Sequence, residues 1–191
     1  GYFVLPSTIG DYLADDIATG TIPTDSPEFE AAEKEVTDRL AKLKAGKGLH
    51  SVDYYHKKLG KIMWNKCGMS RNEQGLKEAI KEIAELREDF YKNVRIPGEL
   101  NAMNSELEKA HRVADFLELG ELFAVDALNR NESCGGHFRE EYQTEEGEAL
   151  RDDENYRYVA AWEYTGVPSE AILHKEKLEF NDIELKQRSY K

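Results

Sequence analysis

The sequence predicts a mainly α-helical protein, a spectrin-repeat-like bundle of three to four helices with a small antiparallel β extension at its C-terminal end. Between residues 27 and 130, apolar residues recur every three or four positions, which places them on single faces of helices. From residue 156 onward, aromatic and other residues alternate, which is typical of a strand. The two periods together predict a helical bundle followed by a short β segment.

The composition is typical of one ordinary soluble domain that is long enough to bury a real core. Of its 191 residues, 40% are hydrophobic and 34% are charged, and no apolar run approaches the roughly 20 residues that span a bilayer. The formal net charge of −12 argues against a nucleic-acid footprint and against a polybasic membrane patch. Two cysteines, Cys67 and Cys134, cannot form a disulfide framework and fit a reducing compartment. We therefore expect neither nucleic-acid binding nor direct membrane insertion.

Residues 1–20 carry many apolar side chains for the beginning of a chain. These side chains could line one side of a helix: Phe3, Val4, Leu5, Ile9, Leu13 and Ile17. The segment begins with Gly1 and shows no signal peptide, which indicates a piece of a longer protein. A turn-rich linker over residues 20–27 follows, in which Ser26 and Pro27 are suited to begin the next helix.

Four helices are predicted in the bundle. Turn and capping residues set their limits: Pro27 to about Gly46, Ser51 to Gly68, the capping box Ser70–Glu73 to Pro97–Gly98, and Leu100 to Leu128. The fourth is the longest, and it delivers the chain into residues 129–141, which contain two Gly, one Cys, one His, two Arg and three Glu. Paired glycines allow a close approach of the backbone, while His and Arg supply a titratable group and a fixed cationic fork.

Metal-binding, catalytic and cofactor-binding sites can each be considered for this segment. Cys134 and His137 have the spacing of half a zinc site, but neither a second cysteine pair nor a suitable histidine pair lies near them in sequence. Cys134 as a nucleophile activated by His137 would need a third, orienting group. Residues 151–153 are better explained as an exposed turn than as a site for a divalent ion. No glycine fingerprint follows a strand to hold a flavin pyrophosphate, so we assign no catalytic, cofactor-binding or metal-binding residue.

The C-terminal residues favour strands. The alternation over residues 156–164 is followed by a turn at Gly166–Pro168, and residues 171–174 and 178–185 are also strand-like. We expect a small antiparallel sheet or hairpin that lies against the bundle.

The segment after the fourth helix resembles a known one. It is similar to the R-x-E-S-R-G-x-H-x-R-x-D segment, followed by R-D-D-E-N, of the flavoprotein subunits of succinate dehydrogenase and fumarate reductase. The positions that match are Arg130, Glu132, Ser133, Gly135, His137 and Arg139, and residues 151–155 match the later run. Cys134 stands where that family usually has Arg, Gly136 where it often has Ala, and Glu141 where it has Asp. The ending over residues 186–190 looks like the closing R-S-Y of the family.

The resemblance implies an organisation of the chain. Residues 1–20 would be the severed C-terminal helix of an FAD-binding domain, residues 27–130 a helical bundle, residues 131–157 a motif loop and residues 158–191 a β-rich tail. The parent protein would use FAD to interconvert succinate and fumarate, and would exchange electrons with a quinone through an iron–sulfur subunit. It would be cytoplasmic, held peripherally at the inner face of the membrane by partner subunits. The family's catalytic and flavin-binding residues lie upstream, so this piece is expected to be structural, inactive alone and without bound FAD.

We expect the motif loop to form an interface with the FAD-binding domain of the same protein or with the iron–sulfur subunit. The candidate interface residues are Arg130, Glu132, Cys134, Gly135, Gly136, His137, Arg139 and Arg151. Arg130, His137 and Arg139 would make charge-assisted hydrogen bonds across that junction, and Cys134 in place of Arg would remove one donor. Two alternatives stay open: L-aspartate oxidase, which carries a related S-R-G-x-H, and an unrelated, non-enzymatic helical interaction module. The R-D-D-E-N run and the R-S-Y ending favour the succinate and fumarate branch.

Overall fold

The computed structural model describes residues 1–17, 19–46, 48–99 and 102–186. Two compact units divide the chain, residues 1–39 and residues 40–191. The predicted first residue of the fourth helix, Leu100, and the R-S-Y ending lie outside the described residues.

Two short helices begin the first unit, and a longer helix starts within it. Helix α1 (Val4–Tyr12) and helix α2 (Ala14–Ile17) occupy the segment that was predicted to be helical, and neither has a buried residue. Helix α3 (Pro27–Lys44) begins at the predicted proline. Proline suits the first turn because the N–H that it lacks would have no acceptor within the helix at that position.

The second unit is built around three long helices. Helix α4 (Val52–Lys66), helix α5 (Glu73–Asn93) and helix α6 (Ser105–Asn129) form the bundle, so the predicted mainly helical fold is confirmed. Their inward faces build one apolar core, to which α3 adds Leu43. Its most deeply buried residues are Leu43, Tyr55, Leu76, Ala79, Ile83, Phe90, Ala110, Leu117 and Ala124. Gly120 lets α6 approach α4 and α5, because an added Cβ would lie 3.3 Å from Leu59 Cδ1.

Two of the predicted helix starts are wrong. The N-cap of α5 is Asn72, whose side chain accepts the Gly75 amide at 2.8 Å, and the hydroxyl of Ser70 donates instead to Glu140 at 2.8 Å. The fourth helix begins only after Asn104, whose side chain accepts the Leu107 amide at 3.0 Å. The described residues 102–104 are not helical. Ser51, by contrast, caps α4 as predicted.

The third predicted helix also ends earlier than the sequence suggested. It stops at Asn93 rather than at Pro97–Gly98, because the next two residues form strand β2 (Val94–Arg95). This strand pairs in parallel with β1 (His50–Ser51), just before α4. Val94 was placed on the helix by its apolar phase, but it is buried as part of the strand.

The C-terminal β extension is an antiparallel hairpin. Strands β3 (Tyr158–Glu163) and β4 (Ile172–Lys177) pair along their whole lengths, and a 3₁₀ turn over Pro168–Glu170 lies between them. Alternate residues of β3 are half-buried, which explains its alternating sequence. Trp162 fixes the hairpin to α6 by donating its indole N–H to Asp126 at 2.8 Å. The strand expected over residues 178–185 is wrong, since described residues 178–186 contain none and Ile183 is mostly exposed.

Among the described residues, no helix has the length and apolar content needed to cross a membrane.

Candidate functional site

The motif loop begins with a tight turn at the end of α6. Cys134 and His137 exchange both backbone hydrogen bonds, at 2.8 and 3.0 Å, and Gly135 between them has a φ of +58°. This left-handed backbone strains any residue with a Cβ, so glycine is strongly favoured there. Gly135 and Gly136 are both exposed, and a Cβ added at Gly136 would meet nothing within 4 Å. The turn therefore presents backbone without side chains to the surface.

Arg139 lies beneath this turn and caps α6. Its side chain is 1% exposed, and its Nη1 donates to the carbonyls of Ala127 and Leu128 at 3.1 and 3.3 Å. The last carbonyls of a helix lack partners within the helix, and a cation near them also faces the negative end of the helix dipole. Ser133 holds the Arg139 backbone, because its hydroxyl accepts the Arg139 amide at 2.8 Å. Arg139 thus joins the loop to the bundle.

The two residues after Arg139 bind the beginning of α5. Glu141 accepts the Glu73 amide at 2.5 Å, and Glu140 accepts Asn72 Nδ2 at 2.9 Å. The backbone joins in, since the Glu140 amide donates to the Arg71 carbonyl at 2.8 Å. Hydrogen bonds from Asn72 and Ser70 hold the pKa of Glu140 below its usual value. The motif loop therefore connects the end of α6 to the start of α5.

Glu132 organises the second half of the loop. Its carboxylate is 2% exposed and accepts Arg130 Nε at 2.7 Å and the Asp152 amide at 2.8 Å. Asp152 in turn caps helix α7 (Asp153–Tyr156), so the R-D-D-E-N run is a helix start. Arg151 pairs with Asp153 and donates to the Lys186 carbonyl at 3.3 Å. The exposed turn expected at residues 151–153 is in fact half-buried.

His137 sits between two arginines. Its Nε2 lies 2.9 Å from the Arg130 carbonyl and its Nδ1 lies 3.1 Å from Arg71 Nη1. A carbonyl only accepts and a guanidinium only donates, so this geometry requires the neutral ring with the proton on Nε2. Burial lowers the pKa of His137 from its usual 6.5, and the charges of neighbouring arginines lower it further. With both nitrogens engaged, His137 is not placed to bind a metal together with Cys134.

Arg71 is the residue that the sequence did not reveal. It was read only as part of a capping box, yet its side chain contacts His137 and its backbone pairs with Arg139. No local signal marks such a contact, because the two segments lie 66 residues apart.

An open cleft of about 490 Å³, here called the arginine cleft, lies beside the turn. Its walls are formed by Arg71, Phe123, Asp126, Arg130, Cys134, Gly136 and His137. The structure thus gathers Arg130, Cys134, Gly136 and His137 at one cleft and buries Glu132 and Arg139, while Arg151 pairs with Asp153 and does not line the cleft. Within the described part of the chain, no three His, Cys, Asp or Glu side chains are grouped to hold a metal ion.

Comparison with protein families identifies a match over most of the chain. The family described as fumarate reductase flavoprotein C-term matches residues 56–190. The fumarate reductase flavoprotein subunit of Helicobacter pylori (strain 26695) is 33% identical over 156 residues, which cover 81% of this chain and 21% of that protein. L-aspartate oxidase 1 of Ralstonia nicotianae is 32% identical over 141 residues, which cover 70% of this chain and 23% of that protein.

Solved structures show the same fold. E. coli quinol fumarate reductase matches with a TM-score of 0.75 and 24% identity, over 93% of this chain and 29% of that chain. The Sdh1 complex of Mycobacterium smegmatis in the apo form matches with a TM-score of 0.67 and 24% identity, over 89% of this chain and 27% of that chain. The chain spans about a quarter of the length of the relatives that it matches.

Proposed function

This chain belongs to the fumarate reductase flavoprotein C-terminal family, and we propose that it is the C-terminal helical domain of a succinate dehydrogenase or fumarate reductase flavoprotein subunit. The complete protein would bind FAD, interconvert succinate and fumarate, and exchange electrons with a quinone through an iron–sulfur subunit. It would lie on the cytoplasmic side, held at the inner face of the membrane by partner subunits. The support is the family match over residues 56–190, together with relatives that are fumarate reductase flavoprotein subunits.

The part of this chain in that function is structural. The observation that supports this role is the set of hydrogen-bond partners of the motif residues. Arg139, Glu140 and Glu141 bind the ends of α6 and α5, rather than pointing together into a site where a substrate could react. Such a network fixes the geometry of helix ends and leaves the Gly135–Gly136 turn exposed as a rigid tip. We place this tip against the FAD-binding domain or the iron–sulfur subunit, where a backbone without side chains allows close approach.

A substitution at the tip tests the interface. Gly136→Trp adds bulk where this chain has free space, so the fold should be kept while a neighbour that approaches closely is pushed away. Glu146→Trp is the matched control, since Glu146 is an exposed turn residue of the same loop. Both are introduced into the complete flavoprotein, co-expressed with the iron–sulfur subunit, and the complex is assayed by pull-down, flavin absorbance and succinate oxidation. We expect at least a tenfold loss of assembled complex for Gly136→Trp alone. If the two variants assemble equally well, the tip is not part of the interface.

L-aspartate oxidase is the second candidate, because a relative of that name is 32% identical over 70% of this chain. The two activities separate in one assay, in which the purified complete flavoprotein is given succinate or L-aspartate with an artificial electron acceptor. Oxidation of L-aspartate but not of succinate would replace the first proposal. The family match rules out the third possibility, an unrelated helical interaction module.

A further inference from the structure

Two arginines line the arginine cleft, Arg71 and Arg130, and Arg71 forms no ion pair within the described residues. Arg130 pairs with Glu132 at 2.7 Å and Arg139 pairs with Glu141 at 3.1 Å. Arg71, by contrast, has no carboxylate within 4.0 Å among the residues that the structure describes. His137 beside it is held neutral by its hydrogen bonds and cannot offset the charge. A half-buried guanidinium without a paired acid favours an anion as its partner, and the carboxylate of Asp126 on the same wall limits how much negative charge that anion can carry.

The donors at this cleft are already oriented. Arg71 Nε donates to the Gly68 carbonyl at 3.0 Å and Nη1 contacts His137, while Nη2 makes no hydrogen bond within the described ranges. Arg130 Nε and Nη2 are held by Glu132 and by the Tyr156 carbonyl at 2.8 Å, and no described partner takes its Nη1. The guanidinium of Arg130 also lies 5.8 Å from the ring centroid of Tyr156. Each arginine therefore keeps free N–H donors on a side chain whose position is fixed, which lowers the entropic cost of binding.

The walls restrict the kind of anion. Phe123 offers an exposed aromatic surface, which can contact the carbon skeleton of an organic molecule but contributes nothing to an inorganic ion. Asp126 also faces the cleft, and its negative charge disfavours anions with several charges. The volume of about 490 Å³ lies within the range of small-molecule sites, roughly 300–1,000 Å³.

We propose that the arginine cleft binds a small organic acid with a single carboxylate and an apolar body. Arg71 and Arg130 donate hydrogen bonds to the carboxylate, and Phe123 packs against the body. Planar guanidinium groups match the two oxygens of a carboxylate, and such charge-assisted bonds are the strong ones. The ligand contacts only side chains of this chain, so the proposal does not rest on the function proposed above, although Gly136 belongs both to the cleft and to the tip that we place at the interface.

Sodium benzoate is a suitable probe, because it combines one carboxylate with one ring. The 191-residue chain is titrated at low salt with benzoate and with two control ligands. Benzyl alcohol is the uncharged analogue, and inorganic phosphate is an anion without an apolar body. Binding is followed by NMR shifts of the Cys134–His137 amides. We expect benzoate to bind at least tenfold more tightly than either control ligand, and we expect its affinity to fall as the salt concentration is raised. Equal affinity for benzyl alcohol or for phosphate would overturn the proposal.

Variants locate the binding. Arg71→Gln should weaken benzoate at least tenfold, whereas the control Arg112→Gln, on an exposed face of α6, should leave it unchanged. Asp126→Asn keeps an acceptor for Trp162 but removes a negative charge from the cleft, so it should tighten benzoate severalfold. If Arg71→Gln disturbs the turn through its lost bond to Gly68, the Asp126 variant decides. Unchanged or weaker binding by Asp126→Asn, or unchanged binding by a folded Arg71→Gln, would refute the assignment.

Discussion

Replacement of Arg139 by alanine should destabilise the bundle more than any substitution of an exposed arginine. The Nη1 of Arg139 is shared among the carbonyls of Ala127, Leu128 and Arg130, at 3.1, 3.3 and 3.4 Å, which we count as one strong hydrogen bond of about 1.5–3 kcal/mol. The ion pair with Glu141 adds only about 0–1 kcal/mol, because that carboxylate is 37% exposed and screened by water. The expected loss in free energy of unfolding is therefore about 1.5–4 kcal/mol.

Urea unfolding followed by circular dichroism measures this loss, with Arg112→Ala as the matched control. The side chain of Arg112 is 67% exposed and pairs with Glu108 on the same helix, so its removal should cost less than about 0.5 kcal/mol. Arg139→Lys keeps the charge without the planar fork and should fall between the two. Because the chain has two compact units, amide exchange in the last turn of α6 supplies a local readout. A loss for Arg139→Ala no larger than that for Arg112→Ala would refute the capping role.

Two further predictions concern the turn above Arg139. Gly135→Ala should lower the free energy of unfolding by about 1–2 kcal/mol, because φ is +58° there. Gly136→Ala is the control and should change that free energy by less than about 0.5 kcal/mol. Thermal unfolding compares the two variants, and equal losses would contradict the idea of a strained backbone at Gly135. The lowered pKa of His137 predicts that the stability of the protein depends on pH. The unfolded chain binds a proton at this histidine near pH 6.5, whereas the folded chain binds it only at lower pH. The contribution of His137 to the free energy of unfolding is therefore complete above pH 6.5 and is lost as the pH falls below that value. Urea midpoints measured across that range should show a shallower decline for His137→Gln, and an unchanged slope would exclude His137 as its source.

The helices could be predicted because burial leaves a period in the sequence, but their ends depended on contacts that leave none. Ser70 has the spacing of a capping residue, yet its hydroxyl donates to Glu140, 70 residues away. Asn104 caps α6, and nothing in the apolar phase distinguishes it from the residues before it. Val94 continues the apolar face of α5 but pairs with His50 in a two-residue strand. For Ser70 and Val94 a partner distant in sequence decided the contact, for Asn104 a local side-chain cap did, and apolar periodicity carries no information about either.

The motif loop shows the same limit for function. Its residues were predicted to form an interface, and Arg139 was expected to make charge-assisted hydrogen bonds across that interface. In this chain it is buried under the turn and bonded to the end of α6. An interface role for the residues that remain accessible, Gly135 and Gly136 above all, stays a prediction.

The order of charges in the loop follows the two helix ends that it joins. Arg139 reaches the C-terminal end of α6, where the helix dipole is negative, and Glu141 reaches the first amide of α5, where it is positive. Residues two positions apart thus satisfy opposite poles, and exchanging their charges would place each against a pole of its own sign. Arg71 belongs to the same junction but has no part in this pairing, since its side chain turns towards His137 and the cleft. Its guanidinium also donates to the Gly68 carbonyl just after α4, but it pairs with no carboxylate among the described residues, which is why we look for its counterpart in an anion that enters from outside.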